Sequence, residues 1–175
     1  MKKAPFLFGL TLTTALAVPA LADIPESPTA GHASAAVLLG YGFHDGVGFG
    51  VGARGGYTLP MNVYVGGMLT YFTGKDNVSG FLIGPEGGYD FSVGPVVLRP
   101  YLGFGPDFLS YSASACAAAF GCVSASASDT KFAFWLGGAA LYPITPNWFV
   151  GGDMRVMIIS DFTNFQLFAT GGYQF

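Results

Sequence analysis

The side chains best suited to chemistry are seven charged residues that fall within predicted strands. They are Arg54, Glu86, Asp90, Arg99, Asp107, Asp153 and Arg155. Three are cations and four are anions, so the set is nearly balanced, as expected where buried charges must pair with one another. Such an ion network is either a gate or selectivity ring, or a polar core that fills an interior. The sequence favours the polar core.

The strands that carry these residues place all seven on one face. Successive residues of a strand point to opposite faces. Along each of these strands, the charged residue lies on the same face as the glycines, whereas bulky apolar residues occupy the other face. Around the turn between the fourth and fifth strands, pairing is expected to bring Arg99 near Gly88, diagonally between Glu86 and Asp90. We therefore predict an ion cluster at this point, joined across the interior by the other arginines and Asp153.

The N-terminus has the features of a secretory leader. Two lysines precede an apolar run, and a small-residue A-x-A cleavage site ends at residue 22. This pattern predicts a signal peptide over residues 1–22. Residues 23–33 contain two prolines and show no periodicity, so we expect an exposed periplasmic lead-in there, with His32 in solvent.

The composition excludes several classes of protein. Charged residues make up 10% of the chain, aromatic residues 16%, and mean hydropathy is +0.50. No run after residue 22 approaches the roughly 18 apolar residues of a spanning helix. This leaves a large soluble core or a membrane barrel, and the low charge favours the barrel because soluble surfaces carry roughly 25–35% charged residues. Loss of Lys2 and Lys3 leaves five cations against ten acids, a net charge of −5, which gives no basis for nucleic-acid binding.

Alternation of apolar and small residues predicts an all-β chain. Eight strands are expected, at about 34–43, 47–58, 62–73, 80–91, 96–109, 131–142, 147–159 and 165–175. An even number of strands of this length is typical of an eight-stranded antiparallel up-and-down transmembrane β-barrel, here over residues 34–175. Residues 110–130 are small and compositionally biased, and we interpret them as the one long surface loop.

The direction of the apolar face separates a membrane barrel from a secreted ligand-binding barrel. In a lipocalin-like protein the apolar face would point inward and a Lys- and Glu-rich face would meet water. Here the charged face is sparse and glycine-bearing, as suits a narrow interior. Three prolines within strands, Pro85, Pro100 and Pro106, do not fit this interpretation easily, because each lacks a ladder hydrogen-bond donor.

Two smaller features could also carry chemistry. Cys116 and Cys122 are the only cysteines, and a pair within one loop of an exported protein predicts a local disulfide. His44 with Asp45 is the sole candidate for a lipid-modifying catalytic pair, and the simpler interpretation of this segment is a tight turn. We expect no catalytic residues, metal ligands or cofactor.

The last eleven residues, 165–175, form an amphipathic strand that ends on aromatic positions Tyr173 and Phe175. This pattern resembles the C-terminal insertion signal of bacterial outer-membrane barrels. The whole mature chain resembles the OmpA-like transmembrane domain and its OmpX- and OmpW-like relatives. The resemblance implies the Gram-negative outer membrane, insertion by the barrel-assembly machinery, and contact with membrane lipids and lipopolysaccharide. It implies no activity, so three functions stay open: a structural or interaction barrel that contacts a surface partner through residues 110–130, a narrow conduit, or a lipid-modifying enzyme.

Overall fold

The computed structural model describes residues 26–43, 48–74, 78–117, 121–160 and 162–175, and only the backbone of residues 78, 112–117, 121–125 and 162. In these ranges the elements are β1 (Ala33–Gly42), β2 (Phe49–Thr58), β3 (Val63–Thr73), β4 (Val78–Tyr89), β5 (Phe91–Val93), β6 (Val96–Ala117), β7 (Gly121–Pro143), β8 (Trp148–Ile159) and β9 (Phe162–Gln174). None of the described segments forms a helix long and apolar enough to cross a membrane.

The strands close into one antiparallel barrel. Consecutive strands pair with each other except β4 and β5, which both pair with β6, and β1 also pairs with β9, which closes the sheet on itself. β4 and β5 lie on β6 in a single register, with Gly88 opposite Tyr101 and Phe91 opposite Leu98. They are therefore two halves of one barrel strand, interrupted at Asp90. The predicted eight-stranded antiparallel barrel is confirmed.

The apolar face of this barrel points outward. Leu102 is 53% exposed on β6, whereas its chain neighbour Tyr101 is 5% exposed in the lumen. The same alternation holds on β3, where Tyr64 and Met68 point inward despite their apolar character. This arrangement is the reverse of a soluble ligand-binding barrel, and a continuous apolar outer wall is what a lipid environment requires.

Glycines on the inner face lie beneath aromatic rings. A Cβ atom placed on Gly103 would lie 2.5 Å from the Trp135 ring, and one on Gly50 would lie 2.5 Å from the Phe72 ring. By contrast, a Cβ atom on the outward-facing Gly152 would meet nothing within 4 Å. The inner glycines therefore provide the room in which large side chains lie against the barrel wall.

The three strand prolines lie along one seam of the barrel. The ladder between β4 and β6 omits residues 83–85 and their partners 104–106, which include Pro85 and Pro106. A second gap separates β4 from β5, across from Pro100. On the other side of its strand, each of the three prolines still lies opposite a residue of the neighbouring strand, β3 or β7. The missing N–H groups are thus confined to one interface, and the register continues unchanged across both gaps.

The prediction that residues 110–130 form a loop is wrong for the described residues of this range, because β6 and β7 continue there as a paired hairpin. Their register runs from Ser110 opposite Ser128 to Ala117 opposite Gly121. Among the described residues, β6 pairs with β4 as far as Tyr111, and β7 pairs with β8 from Ala133 onward. The hairpin therefore extends beyond the barrel. The alternation of serine and alanine is compatible with a strand, although its low complexity suggests a loop.

The chain that leads into β1 is also different from the prediction. We name residues 26–32 the N-terminal strap. His32 is exposed, as expected, but Ser27 and Thr29 are only 4% and 6% exposed. The strap lies at the end of the barrel where β1 begins and β9 ends, which we call the terminal end; the opposite end is called the hairpin end.

Candidate functional site

The centre of the lumen is occupied by Arg54, which lies on β2 and reaches two other strands. Its Nε and Nη2 atoms donate to the Glu86 carboxylate of β4 at 2.7 and 3.2 Å, and Nη1 donates to Asp153 of β8 at 2.7 Å. The Trp135 indole N–H donates to Glu86 at 2.8 Å, and the Tyr101 hydroxyl donates to Asp153 at 2.7 Å. We name these five residues the middle layer. One guanidinium group thus joins three strands across the lumen.

A second ion pair lies nearer the terminal end. Arg99 donates to Asp90 through Nε at 2.6 Å and Nη2 at 2.7 Å. Thr58 and Thr29 also donate their hydroxyl groups to the Asp90 carboxylate. The expectation that Arg99 lies between Glu86 and Asp90 is therefore only half correct, since Glu86 pairs with Arg54. The cause is register, because Gly88 lies opposite Tyr101 rather than Arg99.

The third buried arginine, Arg155, lies toward the hairpin end and has neutral partners. It donates to Gln166 Oε1 at 2.5 Å, to Thr70 at 3.0 Å, and to the Met68 sulfur. Asp107 is also buried, at 3% exposure, but no ion pair among the described residues joins it to Arg54, Arg99 or Arg155. The single connected network expected from the sequence is thus three separate groups.

Each of the three arginines also stacks on a ring in the lumen. The pairs are Arg54 on Tyr101 at 4.3 Å, Arg99 on Tyr64 at 3.8 Å and Arg155 on Phe168 at 4.4 Å. Such stacking adds a cation–π attraction to the hydrogen bonds that each guanidinium group makes. These inward aromatic residues were absent from the predicted site. Tyr101 lies on the same face of its strand as Arg99, which could have identified it, whereas the strands that carry Tyr64 and Phe168 contain no charged residue that would give this signal.

The remaining predicted site residues are the cysteine pair, the His44–Asp45 pair and the C-terminal aromatic residues. The backbone register places Cys116 opposite Cys122, although their side chains lie outside the described residues, as do His44, Asp45 and the leader at 1–22. Tyr173 packs edge-on against Trp148 and Phe175, with ring centroids 5.0 Å apart in both cases. No group of His, Cys, Asp and Glu suited to a metal ion occurs among the described residues.

A closed antiparallel barrel with an apolar outer wall and inward charges has the architecture of a transmembrane β-barrel. The chain belongs to the outer membrane protein beta-barrel domain family, which it matches over residues 8–175. The family and the outer-membrane location implied by the sequence resemblance are both confirmed.

Solved structures of outer-membrane proteins share the fold. The N-terminal barrel domain of Pseudomonas aeruginosa OprF is 19% identical, with a TM-score of 0.55 over 81% of this chain and 97% of that one. A major outer membrane protein of Thermus thermophilus is 17% identical, with a TM-score of 0.63 over 82% and 99% of the two chains. Neisserial surface protein A is 17% identical, with a TM-score of 0.52 over 82% and 94%. No curated protein sequence gives a significant match.

Proposed function

We propose that this protein is a structural and surface-contact barrel of the outer membrane whose lumen is closed by its own side chains. The observation that carries the proposal is the middle layer. Arg54 is 7% exposed, and Glu86 and Asp153 are each 3% exposed, although they stand on separate strands. The interior of an eight-stranded barrel is just wide enough for side chains to fill, and this layer fills it with paired charges and two large rings.

The ion pairs suit a fixed core better than a selectivity ring. A ring that selects ions needs charged groups that water and ions can reach, whereas the carboxylates of Glu86 and Asp153 are bonded to Arg54 and have no exposed side-chain surface. Breaking such a pair leaves buried charges without partners, which is strongly unfavourable. We assign the layer no catalytic role.

The surface-contact part of the proposal rests on the β6–β7 hairpin. The turns at the terminal end are short, as at Gly94-Pro95, whereas the hairpin extends far beyond the opposite end. Because outer-membrane barrels carry short turns on the periplasmic side and longer loops outside, we place the hairpin at the cell surface, among lipopolysaccharide. From Gly121 to Thr130, β7 pairs with β6 and with no other strand among the described residues, so this edge could receive a surface partner.

Three further assignments belong to this proposal. Residues 1–22 are a cleaved signal peptide, and Tyr173 and Phe175 are the insertion signal read by the barrel-assembly machinery. Cys116 and Cys122 form a disulfide near the hairpin tip. Directly opposite residues of antiparallel strands have Cα atoms about 4.5–5.5 Å apart, within disulfide reach. Mass spectrometry of the purified protein with and without reductant tests the disulfide.

Electrical conductance tests the closed lumen. In planar bilayers the wild-type protein is expected to give no discrete current steps. Replacing both rings of the middle layer, as Tyr101→Ala with Trp135→Ala, removes the largest side chains there and is expected to produce a leak. Regular steps from the wild-type protein would instead establish a narrow conduit, and the closed-lumen proposal would then be rejected.

Surface labelling tests the orientation. An epitope inserted at 118–120 is expected to bind antibody on intact cells, whereas the same epitope in the turn at 144–147 is expected to bind only after the outer membrane is permeabilised. The reverse pattern would place the hairpin in the periplasm and remove the basis for a surface contact.

A further inference from the structure

The N-terminal strap crosses the terminal mouth of the lumen. It leads directly into β1, yet its Ser27 amide donates to the Asn62 side chain in the β2–β3 turn at 2.9 Å. Its Thr29 hydroxyl donates to Asp90 at the β4–β5 junction. The Gln174 side chain at the end of β9 donates to the Pro28 carbonyl at 2.7 Å. Seven residues therefore bridge strands that lie on different sides of the barrel.

The strap ends in two backbone hydrogen bonds with the end of β2. Gly31 donates to the Thr58 carbonyl at 2.8 Å, and Thr58 donates to the His32 carbonyl at 3.0 Å. Within the strap, the Ser27 and Thr29 hydroxyl groups lie 2.8 Å apart, and Ala30 donates to the Ser27 carbonyl at 2.9 Å. All of these contacts are hydrogen bonds, and no salt bridge among the described residues involves the strap.

Only part of the mouth is filled by the strap. On its other side lies a cavity of about 290 Å³, lined by Pro28 and Thr29 of the strap and by Val97, Leu141, Trp148 and Phe149 of the barrel. The strap is thus packed on one flank and faces free space on the other. A segment held in this way can leave without any rearrangement of the barrel strands.

We propose that the N-terminal strap is a removable plug of the terminal mouth, latched by the hydrogen bond from Thr29 to Asp90. Release of the strap joins the cavity to the space that Thr29 occupies and exposes the Asp90–Arg99 pair to solvent. The opening ends there, because the middle layer belongs to the barrel wall and stays in place. The result is a blind vestibule, not a channel.

Amide hydrogen exchange of the whole mature protein in lipid nanodiscs tests the plug. Thr29→Val keeps the shape of the side chain and removes the hydroxyl group that binds the Asp90 carboxylate. Since this hydrogen bond reaches a charged group, we expect the Gly31 and Thr58 amides to exchange about tenfold faster or more. The Leu59 amide, which donates to Val63 within the β2–β3 turn, is expected to be unchanged.

A matched control is Thr145→Val. The Thr145 hydroxyl lies at the same end of the barrel but accepts hydrogen bonds only from turn amides, those of Asn147 and Trp148. This variant should leave the exchange of Gly31 and Thr58 as in the wild type. Unchanged exchange in Thr29→Val would show that Thr29 is not the latch. Equal acceleration of Leu59 would show that the strap unfolds only with the barrel. Either result overturns the plug.

Conductance separates this proposal from the closed lumen. Thr29→Val should carry no current, because the middle layer remains intact behind the released strap. If strap exchange accelerates and current also appears, the vestibule continues into a channel, so the blind-ended opening and the closed lumen both fail. If exchange stays unchanged while the wild-type protein is silent, the plug fails and the closed lumen stands.

Discussion

Replacement of Arg54 is the perturbation that most directly tests how the lumen is held together. In Arg54→Met, Glu86 keeps only the Trp135 indole donor and Asp153 keeps only the Tyr101 hydroxyl. Two carboxylates are thus left buried without a cation, and breaking a buried pair in this way costs about 3–5 kcal/mol. We expect the free energy of unfolding to fall by that amount.

Equilibrium urea unfolding in lipid vesicles measures the loss. Tryptophan fluorescence reports the core through Trp135, which is buried, and the rim through Trp148, which is 57% exposed. The shift of the folded band on unheated gels gives a second, independent transition. A more exposed pair provides the reference. Asp129 lies 3.7 Å from Lys131, with 55% of the Asp129 side chain and 22% of the Lys131 side chain exposed, so Asp129→Asn should change stability by about 1 kcal/mol or less.

A triple variant distinguishes the loss of charge pairing from the loss of packing. Arg54→Met with Glu86→Gln and Asp153→Asn removes all three charges and keeps similar volumes, so most of the lost stability should return. If Arg54→Met alone lies within about 1 kcal/mol of the wild type, water reaches these carboxylates. If the triple variant is as unstable as the single one, packing by the arginine matters more than its charge. Either result would refute the assignment of Arg54 as the cation that holds two buried carboxylates.

The remaining predictions concern the wall of the barrel. Leu102→Arg places a cation on the lipid face and should cost about 2–4 kcal/mol of folding free energy in vesicles. As a control, Ser126→Arg in the hairpin should cost almost nothing. Equal effects of the two substitutions would contradict the assigned membrane face. Gly103→Ala forces a Cβ atom against Trp135 and should lower the free energy of unfolding by about 1–3 kcal/mol, whereas Gly152→Ala should be neutral or slightly stabilising. A similar loss in both variants would show that Gly103 is not needed to make room for the Trp135 ring. Amide exchange should be faster in the middle of β4–β6, where the ladder is interrupted, than in the complete β8–β9 ladder, and uniform protection would show that the proline gaps do not weaken the seam.

The fold could be read from the sequence because each strand must satisfy two environments. Val37 and Leu39 face outward while Leu38 between them is fully buried. In most strands this alternation of environments appears in the sequence as an alternation of residue types with a period of two. β3 and β7 were harder to interpret, since their inward residues include Tyr64 and Trp135. Their burial follows from arginines and carboxylates on distant strands, which local alternation does not report.

Of the two partners expected for Arg99, Asp90 is correct and Glu86 is not, and the cause is a turn. A four-residue turn at 92–95 would place Arg99 opposite Gly88, but β5 continues to Val93, and Val93 pairs directly with Val96. Gly94 has a φ of 59°, which a two-residue hairpin turn requires and glycine adopts without strain. The register therefore moves by two residues, and Arg99 comes to lie beside Asp90.

The strap and the hairpin could not be predicted for a different reason. Nothing in the local pattern of residues 26–32 indicates burial, because Thr29 is covered by a carboxylate 61 residues away in the chain. In the hairpin, the small residues that suggest a loop also fit a paired ribbon, and only the register of β6 on β7 decides between them.

The middle layer and the N-terminal strap are not held equally firmly, and this difference determines which part of the barrel opens first. The middle layer joins β2, β4 and β8 through Arg54, so opening it must break two buried ion pairs at once. The strap is held by hydrogen bonds alone and faces a cavity on one side. On the proposed plug and closed lumen, motion at the terminal end needs far less free energy than passage through the centre. The proposed closed lumen leaves the two ends unconnected, and for that reason we look for the function of the protein at the hairpin and the terminal mouth.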